Sequence, residues 1–117
     1  MIRQGEIYWL DDDEPVGSEP GYRRPWVILQ NNVLNGSGIR TVVAAPCSTN
    51  LRRRNTAGTV MLRRGEGGLP SDSLVVAAGI SATARIEFRE VDYLGSVSTA
   101  RVLEVLRAVR QVMDPRD

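Results

Sequence analysis

Apolar residues fall along this chain in short runs, each broken by glycine, proline, asparagine or serine. That pattern predicts a small antiparallel sheet or barrel rather than a helical bundle. Glu6–Leu10 reads as a first strand. Asp11–Arg24 holds Pro15, Gly17, Pro20 and Gly21 and reads as a long loop. Trp26–Gln30 is apolar enough to be a buried second strand, and Asn31–Gly38 is a polar turn region. Thr41–Ala45 reads as a third strand closed by Pro46, followed by an arginine-rich loop over Ser48–Ala57. Thr59–Leu62 and Ser73–Ala78 read as the fourth and fifth strands, with a turn at Gly65–Pro70 between them. Ala82 to Val91 fits a short helix and coil equally well, and Val91–Val97 reads as a last short strand.

One segment has helical spacing. From Ser98 to Asp114, Val102, Val105, Leu106, Val109, Val112 and Met113 share one face. Ser98 is placed to cap the first turn through its hydroxyl, and Pro115 stops the helix. Glu104 and Arg107, three apart, are set to pair on the wet side. The expected fold class is therefore mainly β with one C-terminal helix.

Length and composition narrow the class. With 117 residues, 42% of them hydrophobic and 25% charged, the chain is expected to form a single domain over residues 1–117 with one modest core. No charged-then-apolar leader and no long apolar run is present, so neither a signal peptide nor a membrane span is expected. The single cysteine excludes an internal disulfide and fits a cytoplasmic location. Histidine and lysine are absent; all 15 basic residues are arginine. That removes histidine-based zinc sites, Ser-His-Asp and Cys-His catalysis, Schiff bases and phosphate-loop lysines. Any chemistry here must come from arginine, carboxylates and hydroxyls, and no metal or cofactor is expected.

The net charge of +1 hides a sorted distribution. Residues 21–64 carry eight arginines and no acid, while acids are in excess on both sides of that stretch. A basic block of this kind suits a polyanion such as a nucleic acid. Two places gather candidate chemistry. Gly17–Pro25 sets Ser18, Glu19, Tyr22, Arg23 and Arg24 just before a buried strand, and Pro25 holds Arg24 extended. Ala45–Asn50 runs from a strand end into Ser48, Thr49 and Asn50, followed by Arg52, Arg53 and Arg54. Hydroxyls, amides and guanidiniums in such loops are common phosphate partners, although they are also ordinary turn residues. Cys47 reads as a buried structural thiol, the acids at Asp11–Glu14 as a solvated loop, and Trp9 and Trp26 as core. Tyr22, in the loop, is a candidate for stacking on a base.

Several of these motifs occur together in one known family. Arg3-Gln4-Gly5-Glu6-Ile7-Tyr8-Trp9, Gly17-Ser18-Glu19-Pro20-Gly21 with Arg24-Pro25, Ala45-Pro46-Cys47-Ser48-Thr49, Gly68-Leu69-Pro70-Ser71-Asp72-Ser73 and Leu94-Gly95-Ser96-Val97-Ser98 follow in that order. The chain thereby resembles the MazF/PemK toxins. The resemblance implies a small SH3-like antiparallel β-barrel and a homodimer. It implies metal-independent, sequence-selective cleavage of single-stranded RNA through 2′-hydroxyl attack, leaving a 2′,3′-cyclic phosphate and a 5′-hydroxyl. A MazE-like antitoxin would neutralise it. Residue by residue, the catalytic arginine falls on Arg24, the catalytic hydroxyl on Ser48 and the loop acid on Glu19. Glu19 is then either the base or the group that aims Arg24. Ser18, Tyr22, Thr49, Asn50, Arg52, Arg53 and Arg54 fall in the RNA-binding segments. Where many members carry an acid-Gln-Ile-Arg segment, this chain has Ala78-Gly79-Ile80-Ser81, which puts base preference in doubt. Two other readings stay open at this point: a CcdB-like gyrase poison, whose Trp-Gly-Ile-like ending is missing here, and a nucleic-acid-binding barrel without catalysis.

Overall fold

The computed structural model describes residues 2–11 and 23–116. Seven strands form one antiparallel half-barrel sheet: β1 (Glu6–Leu10), β2 (Arg24–Ile28), β3 (Thr41–Ser48), β4 (Thr59–Leu62), β5 (Ser73–Val76), β6 (Ser81–Ala84) and β7 (Tyr93–Ser96). The order across it is β4-β5-β3-β2-β1-β7, with β6 also on β3. A one-turn helix α1 (Asn32–Asn35) follows β2, and a long helix α2 (Thr99–Met113) ends the fold. The expected class, mainly β with a C-terminal helix, is the one observed.

Several boundaries move, each for a local reason. β2 begins at Arg24, two residues earlier than its apolar run, because Leu10 of β1 pairs with Arg24. β3 runs on to Ser48 through Pro46. Val43 accepts bonds from Leu29 and Gln30, so odd residues of β3 turn their backbone toward β2 and even ones face away. On that far edge β6 pairs with Thr41–Ala44 and β5 with Cys47 and Ser48. Pro46, with no N–H to give, sits at the gap between them, where no ladder bond is needed. Gly79 lies against it: a β-carbon there would come within 2.7 Å of the Pro46 ring. The polar turn at Asn31–Gly38 contains α1, capped by the Asn31 side chain on Leu34 N–H at 3.0 Å. The stretch from Ala82 to Val91 is neither simple helix nor coil: it completes β6 and then makes 3-10 turns at Arg85–Glu87 and Glu90–Asp92. Small residues with no periodicity gave no strand signal there.

The sheet is buried on both faces at its centre. Ile7, Val27, Leu29, Ala45, Cys47, Val60, Leu62 and Val75 pack with Val105 and Ala108 of α2. Tyr8, Leu10, Trp26, Ile28, Val42 and Ala44 pack with Ile2 and Phe88 on the other side. This explains why β2 reads as a continuous apolar run rather than an alternation: all five of its residues are buried. Ser98 caps α2 as expected, accepting from Arg101 N–H at 3.2 Å. The buried stripe is shorter than its apolar spacing, since Val112 and Met113 are exposed. Glu104 pairs with Arg101 at 3.1 Å, not with Arg107. Arg101 also binds Glu66 at 2.8 Å, so its cation at the unfavourable positive end of the helix is offset by two carboxylates.

Arg23 anchors the start of β2. Its guanidinium bonds Asp92 and lies 3.5 Å from Asp11 and 5.8 Å from the centre of the Trp9 ring. Trp9 is therefore half-buried under a cation rather than part of the core. Asp92 is buried and also accepts from Arg89 at 3.0 Å. The Arg23 hydrogen bond, with help from Arg89, holds the Asp92 carboxyl below the usual carboxylate range.

Two predictions follow from this packing. Gly68 has φ of +76°, and a β-carbon there would stand 2.2 Å from the Leu94 carbonyl oxygen, which cannot swing aside. Gly68→Ala should cost about 2–4 kcal/mol, from left-handed strain plus overpacking, and lower Tm by roughly 10 °C or more in a thermal melt. For Asp92 the ionised form is favoured by folding. Its contribution is complete above the unfolded pKa of about 3.9 and is lost as pH falls through the lower folded value. Asp92→Asn should be less stable near neutrality, and its urea midpoint should approach that of the wild type as the solution is acidified. Curves that stay parallel throughout the acid range would assign the acid sensitivity elsewhere.

Candidate active site

The two strands that carry Arg24 and Ser48 are neighbours. Trp26 stands opposite Pro46, Val27 opposite Ala45 and Ile28 opposite Ala44. Continuing that register by two residues sets Arg24 opposite Ser48. The intervening pair is Pro25 and Cys47, and Pro25 has no N–H with which to continue the ladder, which ends at Trp26. Arg24 and Ser48 form a pair whose backbone groups point away from each other, toward β1 and β5 respectively. Side chains of such non-hydrogen-bonded pairs lie closest, with Cα atoms about 4.5 Å apart in regular sheets. The Arg24 charge is also felt at the thiol of Cys47, the residue before Ser48.

Both side chains are covered. Arg24 is 4% exposed and Ser48 6%. Their row across the sheet is otherwise apolar, with Leu10 beside Arg24 and Leu74 beside Ser48. A fixed cation and a hydroxyl in low-dielectric surroundings interact with an incoming anion far more strongly than they would in water. The Ser48 Oγ accepts from Asn50 N–H at 3.1 Å, which turns the chain sharply after β3. The Asn50 side chain in turn accepts from Arg52 N–H at 3.2 Å and caps the 3-10 turn Leu51–Arg53. Ser48, Thr49, Asn50 and the arginine turn are thus one connected unit, in which Thr49, Arg52, Arg53 and Arg54 are exposed and Asn50 is half-buried. Ser18, Glu19 and Tyr22 lie outside the described residues.

Cys47 faces the opposite core. Burial pushes its thiol up to about 12, only partly opposed by Arg24, so it stays protonated and serves as packing. Trp26 is buried on the same face as Arg24, and its indole N–H has no hydrogen-bond partner among the described residues. Sequence reasoning missed the clamp that holds Arg23. The only hint was that Arg23 and Arg24 are neighbours at the entry to an extended strand, where successive side chains point to opposite faces.

Residues 3–113 match the family described as PemK-like, MazF-like toxin of type II toxin-antitoxin system. The chain is 34% identical over 114 residues to endoribonuclease MazF6 of Mycobacterium tuberculosis, covering 97% of this chain and 98% of that protein. It is 28% identical over 109 residues to endoribonuclease MazF of Staphylococcus epidermidis, covering 93% and 88%. Among solved structures, a mycobacterial endoribonuclease in complex with its cognate antitoxin superposes with a TM-score of 0.72 at 24% identity over the whole of both chains. MazF from Deinococcus radiodurans superposes with a TM-score of 0.73 at 21% identity, covering 97% of each. The family match spans nearly the whole chain and the relative is matched over nearly its full length, and the chain belongs to the PemK/MazF family of toxins of type II toxin–antitoxin systems.

Proposed function

We propose that this toxin is an endoribonuclease that cuts single-stranded RNA without a metal ion, works as a homodimer in the cytoplasm and is silenced by a cognate antitoxin. The observation that carries the reading is the cross-strand register that sets Arg24 opposite Ser48. In the reaction, the 2′-oxygen attacks the adjacent phosphorus as its proton is removed. The bond from phosphorus to the 5′-oxygen then breaks, and that oxygen takes a proton. The products are a 2′,3′-cyclic phosphate and a 5′-hydroxyl, and no outside reactant is needed.

Arg24 supplies the charge that this transition state requires. Its planar fork matches two phosphate oxygens and carries a full charge when they arrive. Arg24 is also the candidate donor to the leaving oxygen. Ser48, whose Oγ already accepts from Asn50, donates its own hydrogen to a phosphate oxygen. Thr49 extends this contact. Glu19 is assigned as the base or as the group that aims Arg24. Because Arg24 and Ser48 are covered, the substrate must displace whatever lies over them, and this exclusion of water strengthens the contacts made afterwards. Arg52, Arg53 and Arg54, exposed and tied to Ser48 through Asn50, carry the flanking phosphates, while Ser18 and Tyr22 complete the RNA contact from the preceding loop. Leu103, Val112 and Met113 leave apolar surface along α2 of the kind a second subunit covers. No helix among the described residues is long and apolar enough to cross a membrane.

The test is incubation of the purified protein with a defined RNA in the presence of a metal chelator, with mapping of 5′-hydroxyl ends. Arg24→Ala should lower cleavage about 100- to 1000-fold, the usual effect of removing one well-aimed donor. Ser48→Ala should fall substantially and Ser48→Thr should stay close to wild type, with melting curves showing that each variant is folded. Cleavage by Arg24→Ala within tenfold of wild type would defeat the assignment. Separately, changing Arg52, Arg53 and Arg54 together to glutamine should reduce the slope of log affinity against log salt for single-stranded RNA by about 2, from roughly 0.7 per lost phosphate contact. An unchanged slope would remove these arginines from the interface.

A further inference from the structure

Trp26 lies two residues beyond Arg24 on β2, so the two side chains share a face of the sheet, with their Cα atoms about 7 Å apart along the extended strand. Trp26 stands opposite Tyr8 on β1 and opposite Pro46 on β3. It is 7% exposed, and its indole Nε1 is buried with no hydrogen-bond partner among the described residues. The Tyr8 hydroxyl beside it donates to Glu6 at 3.1 Å. Pro46 carries no polar side-chain atom, and Gly79, against the Pro46 ring, has no side chain to offer. Buried indole N–H groups usually find an acceptor, and one left without costs about 1–3 kcal/mol.

Packing gives no reason for the nitrogen. Leu10, Ile28, Val42, Ala44 and Phe88 share this core, and an all-carbon ring would fill the same place without an unmet donor. The donor has a use where an acceptor arrives with the substrate. The pair Arg24 and Ser48, on the same face, takes the charged part of a nucleotide. The neutral part, the base, lies next to that phosphate and suits the apolar side of the site. A rigid, uncharged, single donor in an apolar wall matches the edge of an unstacked base. A second phosphate would call for a guanidinium instead.

We propose that Trp26 is a specificity-determining residue whose indole N–H donates to a carbonyl oxygen of the base adjoining the phosphate at Arg24 and Ser48. This deepens the proposed function and rests on it for the identity of the ligand. Uracil, cytosine and guanine each carry an exocyclic carbonyl. Adenine carries an amine and no carbonyl, and the amine would set donor against donor. One position of the RNA is thereby biased against adenine. Trp26 is covered nearly as fully as Arg24, so the base enters as the phosphate does, by displacing what lies over the row. A base without the carbonyl leaves the N–H unmet in the closed site, and that penalty supplies the discrimination.

The probes are heptamers of deoxyuridine, deoxycytidine, deoxyinosine and deoxyadenosine, which lack the 2′-hydroxyl and so bind without being cut. Each is titrated against the full chain with its two tryptophans labelled with nitrogen-15, and Trp26→Phe assigns the two indole signals. At least one of the three carbonyl-bearing heptamers should move the Trp26 indole proton downfield. Deoxyadenosine should bind about tenfold more weakly than that heptamer, the worth of one neutral hydrogen bond. In Trp26→Phe the preference should shrink to within about twofold. Protein carrying benzothienylalanine at position 26 exchanges the N–H for sulfur and keeps the ring shape. It should lose the preference equally, whatever phenylalanine does to the packing. A Trp26 signal unmoved by all four heptamers, deoxyadenosine bound best, or a preference retained in both variants would overturn the proposal. Cleavage is read separately in the chelator assay. A shifted Trp26 signal without cleavage would leave the base contact standing and sink the nuclease reading, and cleavage with a silent Trp26 would do the reverse.

Discussion

The register between β2 and β3 is the constraint on which the rest depends. In an antiparallel pair, each residue has one partner opposite it, and a slip of one position turns every side chain to the other face. Here the slip is forbidden twice. Val27, Ala45 and Cys47 fill one core while Trp26, Ile28 and Ala44 fill the other, so a slip of either strand would send both sets to the wrong side. Burial of large apolar side chains, at about 1.5–3 kcal/mol each, far outweighs whatever the polar ends of the strands contribute. The apolar centre therefore fixes where Arg24 and Ser48 must lie, although neither takes part in that choice.

The prolines sharpen this arrangement. Pro25 and Pro46 each remove a donor from a strand that otherwise pairs on both sides. Pro46 does so where the partner changes from β6 to β5, and Pro25 does so where the β2–β3 ladder ends. Ending the ladder there leaves the pair's side chains as the polar content of a row bounded by Leu10 and Leu74.

Much of this could be read along the chain, because it rests on local rules. The helix from Thr99 to Met113 and its Ser98 cap, the strands at Glu6–Leu10 and Thr59–Leu62, and the two arginine-and-hydroxyl clusters all have short-range signatures. What escaped depends on partners distant in sequence. Ser81–Ala84 is a strand because Thr41–Ala44 offers it an edge, and nothing in Ser-Ala-Thr-Ala announces that. Arg24 belongs to β2 because Leu10 pairs with it, although a loop composition runs right up to it. Asp92, 69 residues from Arg23, could not have been named as its partner from spacing alone. The family motifs singled out Arg24 and Ser48 individually; only the register brings them opposite each other.

The adjacent arginines Arg23 and Arg24 show how one dipeptide is divided between structure and chemistry. Alternation along a strand sends neighbouring side chains to opposite faces. Arg23 meets Asp92, Asp11 and the Trp9 ring, and these contacts consume its charge and raise its affinity for its proton. Arg24 is buried in the row that holds Leu10, opposite Ser48 by the strand register. The clamp on Arg23 therefore does more than hold β2 at its entry. It occupies the first arginine on the face away from Ser48, so the dipeptide presents Arg24 alone to the row shared by β2 and β3.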